Sequence, residues 1–406
     1  MRINLKKRIA VIGGGAAGFV SAITASRLGA DVTIYERSDR VLKKILATGN
    51  GRCNMTNMNA GRENYHGKNP DFIRSTVSRF WVSETLDFFS EIGVLAKTEK
   101  DGKVYPYSLQ AAAVSDVLRF EAQRLKIRVI CDFEVSKITK EKNGYHINDR
   151  ERADAVIITT GGMASPQLGS NGSGYALAKK MGHKVTELYP SLVQVKTDNT
   201  YTKALQGLKV NAGVKFRDGK NVRFEDFGEV LFADYGLSGP PVFNLSRLAS
   251  VYKNGVIVLD LMPEFDINTL DGMLRSRKRA NVSLENYFTG MLPKKLGQVL
   301  LKSCGIAPLS RESVSLTNKE ITALAERIKA WEFKVLGTKS WNNAQVTAGG
   351  VEVSDINPKT LESKLWKEVY FAGEVLDIDG DCGGYNLQWA WSSGYIAGMS
   401  AAGGGV

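Results

Sequence analysis

The sequence predicts an α/β protein in which one parallel-sheet domain is built from both ends of the chain and interrupted by an insert. Residues 9–36 read as a strand, a glycine-rich turn, a helix and a second strand. Over 192–335 the pattern changes to short alternating strands and then to charged helices, and at 369–374 an apolar strand ending in glycine and acid returns. Strands that alternate with helices are typical of a parallel sheet, so the two outer parts are expected to share one sheet.

The first turn carries the G-x-G-x-x-G pattern of a Rossmann-like dinucleotide-binding unit. Gly13 permits the tight turn, Gly15 lets the backbone approach a pyrophosphate, and Gly18 lets helix and strand pack closely. Glu36 closes the second strand about twenty residues further on, where an acid binds a ribose hydroxyl. Glycine-rich turns are common, but the strand before this one and the acid after it favour dinucleotide binding over a plain strand-to-helix turn.

Composition limits the class of protein. The chain has 406 residues, of which 43% are apolar, and a formal net charge of +12, which favours acidic partners such as phosphate-bearing cofactors or nucleic acid. No stretch approaches the roughly twenty apolar residues of a membrane span, and residues 1–8 are too short and too charged for a signal peptide, so a cytoplasmic protein is expected. With no C-x-x-C pair and only 3 histidines, neither a disulfide framework nor a metal site is expected.

A polar loop, helices and strands follow the opening unit. Residues 46–57 are rich in glycine, asparagine and threonine, like loops whose N–H groups wrap around phosphates. Apolar residues recur at helical spacing over 70–92 and 109–125, which predicts two amphipathic helices. Runs at 127–135 and 153–160 predict strands. The second run ends in a glycine pair, which lets the chain turn beside a bound nucleotide.

The insert is expected at 192–335, with a β part over about 192–262 and a helical part over about 263–335. The flanking segments, 1–191 and 336–406, are expected to form one discontinuous domain that a final helix closes. Because the flanking segments carry the nucleotide-binding signals, the insert is expected to determine the substrate.

Several sequence blocks together point to a known family. They are GGGAAG at 13–18, KKILATGNGRCNMTN at 43–57 and FAGEVLDIDGDCGGYNLQWAWSSGYIAG at 371–398. In this combination the chain resembles, over nearly its whole length, the bacterial BaiN-like (YhiN-like) NAD(P)/FAD-dependent flavoproteins. The resemblance implies a Rossmann-like FAD-binding domain built from both chain ends, interrupted by an insert with a small β-barrel and a helical bundle.

Residues late in the chain indicate that the tightly held cofactor is a flavin. In flavoproteins of this build a distant strand delivers an acid to the ribityl chain, and Gly373-Glu374 resembles that element. A plain NAD-binding domain has no use for such a return. The helix expected to open at Gly384 would direct free N–H groups at the flavin pyrimidine edge, where negative charge develops on reduction. Tyr385 is the candidate catalytic proton donor, although aromatic packing explains this residue almost as well.

The polar loop leaves alternatives open. By resemblance, the pyrophosphate and the flavin are held from the other side by Thr48, Gly49, Gly51, Arg52, Cys53 and Asn54. Arg52 is either a cation beside phosphate or flavin, or one partner of a structural salt bridge. Cys53 is interpreted as a buried small residue in preference to a redox thiol, because no second cysteine is near in sequence.

The sequence therefore predicts an FAD-dependent oxidoreductase with non-covalent FAD and no metal. The residues predicted to bind FAD are Gly13, Gly15, Ala16, Ala17, Gly18, Glu36, Arg37, Lys44, Thr48, Gly49, Gly51, Arg52, Cys53, Asn54, Val135, Thr160, Gly161, Gly373, Glu374, Asp377, Gly384, Tyr385, Asn386 and Leu387. The resemblance favours NAD(P)H-supported reduction of a small organic substrate, such as an enone or a steroid-like C=C. No second complete G-x-G-x-x-G occurs, so NADPH or NADH is expected to bind transiently at the flavin. The sequence indicates no oligomeric state.

Two alternatives stay open. One is an oxygen-using, FAD-dependent oxidase of small amines. The other is an RNA-binding flavoprotein, suggested by the net charge and by the run RSRKR at 275–279. That run has no interleaved aromatic residues and belongs to no nucleic-acid-binding motif, so nucleic acid is not the expected partner.

Overall fold

A computed structural model of the chain describes residues 6–252 and 254–404. Its helices are α1 (Ala16–Arg27), α2 (Lys43–Ala47), α3 (Ile73–Val77), α4 (Val82–Glu91), α5 (Ala111–Arg124), α6 (Ser173–Lys180), α7 (Pro240–Val251), α8 (Ile267–Lys278), α9 (Lys294–Ser303), α10 (Asn318–Lys329) and α11 (Tyr385–Ala401). Its strands are β1 (Arg8–Ile12), β2 (Asp31–Tyr35), β3 (Thr56–Asn57), β4 (Tyr65–His66), β5 (Ala96–Thr98), β6 (Lys103–Pro106), β7 (Arg128–Ile130), β8 (Ile138–Glu141), β9 (Gly144–Ile147), β10 (Glu151–Ala153), β11 (Ala155–Ile158), β12 (Tyr189–Ser191), β13 (Val195–Thr197), β14 (Lys209–Asp218), β15 (Asn221–Ala233), β16 (Gly236–Ser238), β17 (Gly255–Asp260), β18 (Trp331–Thr338), β19 (Val346–Ala348), β20 (Val369–Phe371) and β21 (Asp379–Gly380).

The chain folds into two compact units. The first comprises Met1–Pro190 together with Ala344–Val406, and the second comprises Ser191–Asn343. Each unit has its own apolar core. Strand β18 extends past Val335, the predicted end of the insert, because it closes the barrel of the second unit by pairing with both β13 and β17.

The first unit is built on a five-stranded sheet in the order β20-β11-β1-β2-β7. All four neighbouring pairs are parallel. Strands β1 and β11 read RIAVI and AVII, and they are buried almost throughout, as expected for parallel strands covered on both faces. Strand β20 follows the insert in sequence and pairs with β11, which precedes it. The predicted α/β class, with a Rossmann-like sheet drawn from both chain ends, is confirmed.

Helices α1 and α11 pack backbone to backbone in this unit. A Cβ atom built at Gly394 would lie 2.6 Å from the Ala17 carbonyl oxygen, and one at Gly398 would lie 2.3 Å from the Ser21 carbonyl oxygen. Both distances are below any real Cβ contact. The close approach therefore requires glycine at both positions of α11.

The second unit contains a closed barrel in the order β13-β16-β15-β14-β17-β18. Burial alternates along β18, where Trp331, Phe333 and Val335 point into the barrel core. Helices α8, α9 and α10 lie between β17 and β18 in sequence. The sequence had suggested a complete β part followed by a helical part. In the structure, the helical part is instead inserted between two neighbouring strands of the barrel.

Two predicted elements have different bounds in the structure, each because of a local feature of the chain. The single helix expected over 70–92 is divided into α3 and α4, because α4 has its own start: the Trp81 N–H donates to the Glu84 carboxylate at 2.8 Å. The strand expected over 127–135 ends with β7 at Ile130, because the chain then turns through Asp132, whose φ is +54°.

Among the described residues, no helix is both long enough and apolar enough to cross a membrane.

We expect the stability of the protein to fall in mildly acidic solution through His183. This imidazole is buried, its Nε2 lies 2.8 Å from Ser363 Oγ, and its pKa is lowered, mainly by burial and against the opposing charge of Asp355. Because the pKa of His183 is lower in the folded than in the unfolded protein, its contribution to the free energy of unfolding is complete above the unfolded-state pKa of about 6.5. This contribution is lost as pH falls through the folded-state pKa. Urea unfolding at pH 7, 6 and 5 should show this loss. His183→Gln should have a shallower pH slope, and an unchanged slope would contradict the assignment.

Candidate functional site

The glycine turn between β1 and α1 leaves open space where a phosphate would lie. Gly13 has a φ of +108°, and its N–H donates to the Tyr35 carbonyl at 2.8 Å. A Cβ atom at Gly18 would lie only 2.0 Å from the Gly13 carbonyl oxygen, whereas one at Gly15 would meet no atom within 4 Å. Helix α1 also begins at Gly15 without a side-chain cap, so its first N–H groups, including those of Ala16 and Ala17, remain for a ligand.

Glu36 lies beside this turn. Its carboxylate accepts hydrogen bonds from the Gly14 and Ser38 N–H groups, both at 2.8 Å. These two bonds hold the side chain at the end of β2, where an acid contacts a ribose in dinucleotide-binding units.

A small, solvent-open cleft adjoins Glu36. Five predicted cofactor residues line it together: Gly13, Glu36, Arg37, Val135 and Thr160. Sequence reasoning missed the other walls, among them Phe133 and Gly169. Arg37 donates from Nε to the Gly169 carbonyl at 3.0 Å, a contact over 132 residues that no local pattern announces. Gly161, next to Thr160, has a φ of +68°, which suits a glycine at this turn.

The polar loop contains one orphaned group that fits a flavin. Asn54 is 8% exposed, and no hydrogen-bond donor among the described residues reaches its Oδ1. A Cβ atom at Gly384 would lie 2.9 Å from this oxygen, so the orphaned acceptor lies beside the start of α11. A buried acceptor without a donor costs about 1–3 kcal/mol. A ring N–H, such as the one on the flavin pyrimidine, would satisfy it.

Other residues of the polar loop are held by the protein itself. The Thr48 hydroxyl donates to the Ile45 carbonyl at 2.6 Å. Gly49 and Gly51 have φ values of +56° and +81°. Cys53 is fully buried, and burial raises the pKa of its thiol to about 12, so it is not a thiolate at neutral pH. This agrees with its interpretation as a buried small residue.

Arg52 forms a salt bridge within the protein. Its guanidinium lies 4.4 Å from the centre of the Tyr105 ring, and Nη1 is 3.4 Å from Glu99 Oε1. Both side chains of the ion pair are about two-fifths exposed, so the pair contributes at most about 1 kcal/mol. A role for Arg52 toward phosphate or flavin stays a prediction.

Glu374 reaches the opening unit from the far end of the chain. Its Oε2 lies 2.7 Å from Lys44 Nζ, and its Oε1 accepts the Thr347 N–H at 3.0 Å. The neighbouring Gly373 has a φ of +79°, and a Cβ atom there would lie 2.9 Å from Ala17 Cβ. The predicted residues Lys44, Ala17, Gly373 and Glu374 are thus brought together, and Thr347 joins them without having been predicted.

The turn before α11 is tightly fixed. Asn386 Nδ2 donates to the Gly380 carbonyl at 2.7 Å, and the Gly380 N–H donates back to Asn386 Oδ1 at 2.8 Å. The Asn386 side chain therefore holds the turn, and the backbone N–H of Asn386, in the first turn of α11, is the group left for a cofactor. Asp377 is buried and accepts the Lys68 N–H at 3.0 Å, while Leu387 is partly buried against the core.

Tyr385 is the first residue of α11, where the sequence placed the helix start. It is mostly buried, with its ring edge on Tyr65 at a centroid distance of 6.2 Å. Burial, followed by the charge of Asp381, raises the pKa of the Tyr385 phenol. The preceding Gly384 has a φ of +102°, and a Cβ atom there would lie 2.6 Å from the Thr56 carbonyl oxygen, so a larger residue at 384 would disturb the fold itself.

The basic run at 275–279 is largely used within the second unit. Arg275 pairs with Asp271. Arg277 donates to the carbonyls of Tyr287 and Thr289 at 3.1 and 2.8 Å, and Lys278 donates to the Leu316 carbonyl at 2.6 Å. Most of this run therefore supports the helical part and is not a free polyanion-binding patch. In the described part of the chain, no cluster of His, Cys, Asp and Glu could hold a metal ion.

A Rossmann-type sheet, an open glycine turn and an acid returning from the far end of the chain define a dinucleotide-binding flavoprotein, and this one is an FAD-dependent oxidoreductase. The chain belongs to the family described as "HI0933-like protein Rossmann domain", whose model matches residues 7–400. The family resemblance inferred from the sequence blocks is thereby confirmed.

Relatives match this chain over nearly its full length. A 3-dehydro-bile acid delta(4,6)-reductase from Clostridium scindens is 39% identical, covering 97% of this chain and 99% of the relative. A ribosomal RNA dihydrouridine synthase from Haemophilus influenzae is 29% identical, covering 96% and 97%. The second name is in tension with the expectation that nucleic acid is not a partner. A flavocytochrome c3 fumarate reductase in its open conformation is 17% identical with a TM-score of 0.47, covering 98% of this chain and 78% of that one, a likeness too weak to bear on function.

We expect Gly15→Val to give a folded but colourless protein. Gly15 has a φ of −89° and its Cβ would meet nothing, so valine fits the fold while filling the space proposed for the pyrophosphate. FAD affinity should fall roughly tenfold or more, which is about 1.4 kcal/mol or more. Circular dichroism and the flavin absorbance of the purified protein test both parts. Gly18→Ala is the matched control: its Cβ would strike the Gly13 carbonyl, so it should lower the melting temperature. Full flavin content in Gly15→Val would refute this placement.

Proposed function

We propose that the protein reduces a C=C bond conjugated with a carbonyl group in a small, steroid-like organic substrate, using NADPH or NADH as the electron source. The observation that carries the proposal is the 39% identity, over 97% of the chain, to a reductase named for 3-dehydro-bile acids. The name of that relative describes saturation of double bonds in a keto steroid. Bound FAD supplies the hydride chemistry, which no side chain can perform.

The residues that would hold FAD lie in three places of the first unit. The open turn at Gly15 and the acid Glu36 would take the pyrophosphate and the adenosine ribose. The Lys44–Glu374 pair would hold the ribityl side, and the start of α11 with Asn54 Oδ1 would take the pyrimidine edge. Charge on a reduced flavin is favoured by the free N–H groups of a helix N-terminus, by roughly 0.3–1 kcal/mol at an exposed site and up to about 2 when partly buried.

Tyr385 is our candidate for the proton that completes the reduction. Hydride addition to the β-carbon of an enone leaves an enolate, which must accept a proton at the α-carbon. A tyrosine phenol, with an ordinary pKa of about 10, is protonated at neutral pH, and burial raises the pKa of Tyr385 further, so the proton is present when it is needed. Lys103 partly offsets that rise, because its positive charge favours the phenolate.

The barrel and helices of the second unit are the proposed substrate-determining part. This unit carries a core of its own, so its outer residues can vary without disturbing the sheet that supports the cofactor turn. The proposal leaves FAD binding to the first unit and substrate choice to the second.

A second candidate reaction is reduction of uridine in RNA. The 29% identity to ribosomal RNA dihydrouridine synthases and the net charge of +12 favour it. The chemistry is related, since the uracil C5=C6 bond is also conjugated with a carbonyl. Against it, the basic run at 275–279 is mostly engaged in internal hydrogen bonds.

We expect anaerobic NADPH or NADH to bleach the yellow flavin, and an enone steroid to restore the colour stoichiometrically. A reductase must accept electrons from the nucleotide and pass them to the C=C bond, so both half-reactions are required. Stopped-flow absorbance of the flavin follows each of them, and product analysis identifies the saturated ketone.

The same experiment separates the alternatives. An amine oxidase would keep its colour with nucleotide and lose it with a small amine. A uridine reductase would be reoxidised by uridine-containing RNA and not by the steroid, with binding that weakens steeply as salt rises. Failure of both nucleotides to bleach fully flavin-loaded protein would remove the NAD(P)H part of the proposal.

We expect Tyr385→Phe to slow substrate reduction by on the order of 100-fold, the usual worth of a general acid, while flavin content stays unchanged. The half-reaction with NAD(P)H involves no substrate protonation and should keep its rate. Tyr65→Phe is the matched control, because it removes a neighbouring phenol whose hydroxyl donates to the Tyr385 carbonyl at 3.0 Å. Equal loss in both variants, or none in Tyr385→Phe, would exclude Tyr385 as the proton donor.

A further inference from the structure

The buried hydroxyl of Thr347 connects the turn after β11 with the segment after the insert. Thr347 lies in β19 and is 1% exposed. Its Oγ1 accepts the Met163 N–H at 2.8 Å and the Ala164 N–H at 3.0 Å. A hydroxyl oxygen has two acceptor positions, and both are used here. Removing it would leave two buried backbone donors unpaired, at about 1–3 kcal/mol each.

The backbone of the same residue orients a carboxylate. The Thr347 N–H donates to Glu374 Oε1 at 3.0 Å, and Glu374 Oε2 lies 2.7 Å from Lys44 Nζ. Each oxygen of Glu374 therefore has its own fixed partner, and the carboxylate plane is set by Thr347 on one side and by Lys44 on the other.

Packing leaves this arrangement little freedom. A Cβ atom at Gly162 would lie 2.3 Å from Thr347 Oγ1 and 2.8 Å from Glu374 Oε1. The turn that Thr347 holds thus presses against both the hydroxyl and the carboxylate.

We propose that Thr347 is a positioning residue for the cofactor, acting through Glu374. Its hydroxyl fixes the turn after β11, its N–H fixes the Glu374 carboxylate, and FAD affinity depends on the two together. This inference rests on the proposed FAD site, in which Glu374 holds the ribityl side.

The test is FAD binding to apo-protein, measured by quenching of flavin fluorescence in the absence of nucleotide and substrate. Thr347→Val keeps the shape and removes the hydroxyl, and it should raise the Kd for FAD tenfold or more, about 1.4 kcal/mol or more. Thr347→Ser restores the hydroxyl and should restore the affinity. If the valine variant does not fold, Thr347→Ala, which is smaller, is measured in its place.

Two further variants separate positioning from general damage. Thr186→Val is the matched control, since the Thr186 hydroxyl also bonds the backbone of the same unit, at Gly350, without contacting Glu374. It should bind FAD normally. Glu374→Gln alone should weaken FAD binding, and adding Thr347→Val to it should cost little more, because both act through one carboxylate.

Several results would overturn the inference: unchanged affinity in Thr347→Val, equal loss in Thr186→Val, no rescue by serine, full additivity in the double variant, or no effect of Glu374→Gln. None of these readouts involves turnover. A protein that passes all of them but reduces no conjugated C=C would refute the proposed function and leave the positioning role of Thr347 standing.

Discussion

The first unit depends on the backbone contact between α1 and α11. Gly394 and Gly398 bring α11 so close to α1 that a single added methyl group would strike a carbonyl oxygen. The N-terminus of α1 forms the open glycine turn, and α11 starts beside Asn54 at the polar loop. The contact thus fixes the glycine turn and the start of α11, which come from opposite ends of the chain, relative to each other through one closely packed pair of helices.

Local features of the site could be read from the sequence, because each is encoded within a short stretch. The glycine turn, the acid at Glu36 and the start of α11 all follow from residue types at fixed spacing. The contacts that join these stretches could not be read in this way. Lys44 and Glu374 are 330 residues apart, and Thr347 occupies an ordinary strand position whose hydroxyl has no sequence signature. Only the fold shows which distant groups share a carboxylate or a hydroxyl.

The same distinction explains one error and two questions that the sequence left open. Periodicity predicted one helix over 70–92, but a capping hydrogen bond from Trp81 to Glu84 starts a new one. The charges of the run at 275–279 can be read from the sequence. Their partners cannot, because they are mostly carbonyl groups elsewhere in the helical part. For Arg52, the sequence left open a cation beside phosphate or flavin and a structural salt bridge. Its ion pair with Glu99 depends on where β5 and the loop after it place that acid.

The position of the insert has a consequence for the order in which the protein is made. The ribosome synthesises all strands of the barrel, ending with β18 at Thr338, before it reaches β20 or α11. At about 5–20 residues per second, the remaining segment takes several seconds longer. During that interval the face of α1 that Gly394 and Gly398 will cover stays open, and Glu374 does not yet exist to meet Lys44. The second unit can therefore complete its core during translation, whereas the first unit can do so only when α11 has emerged.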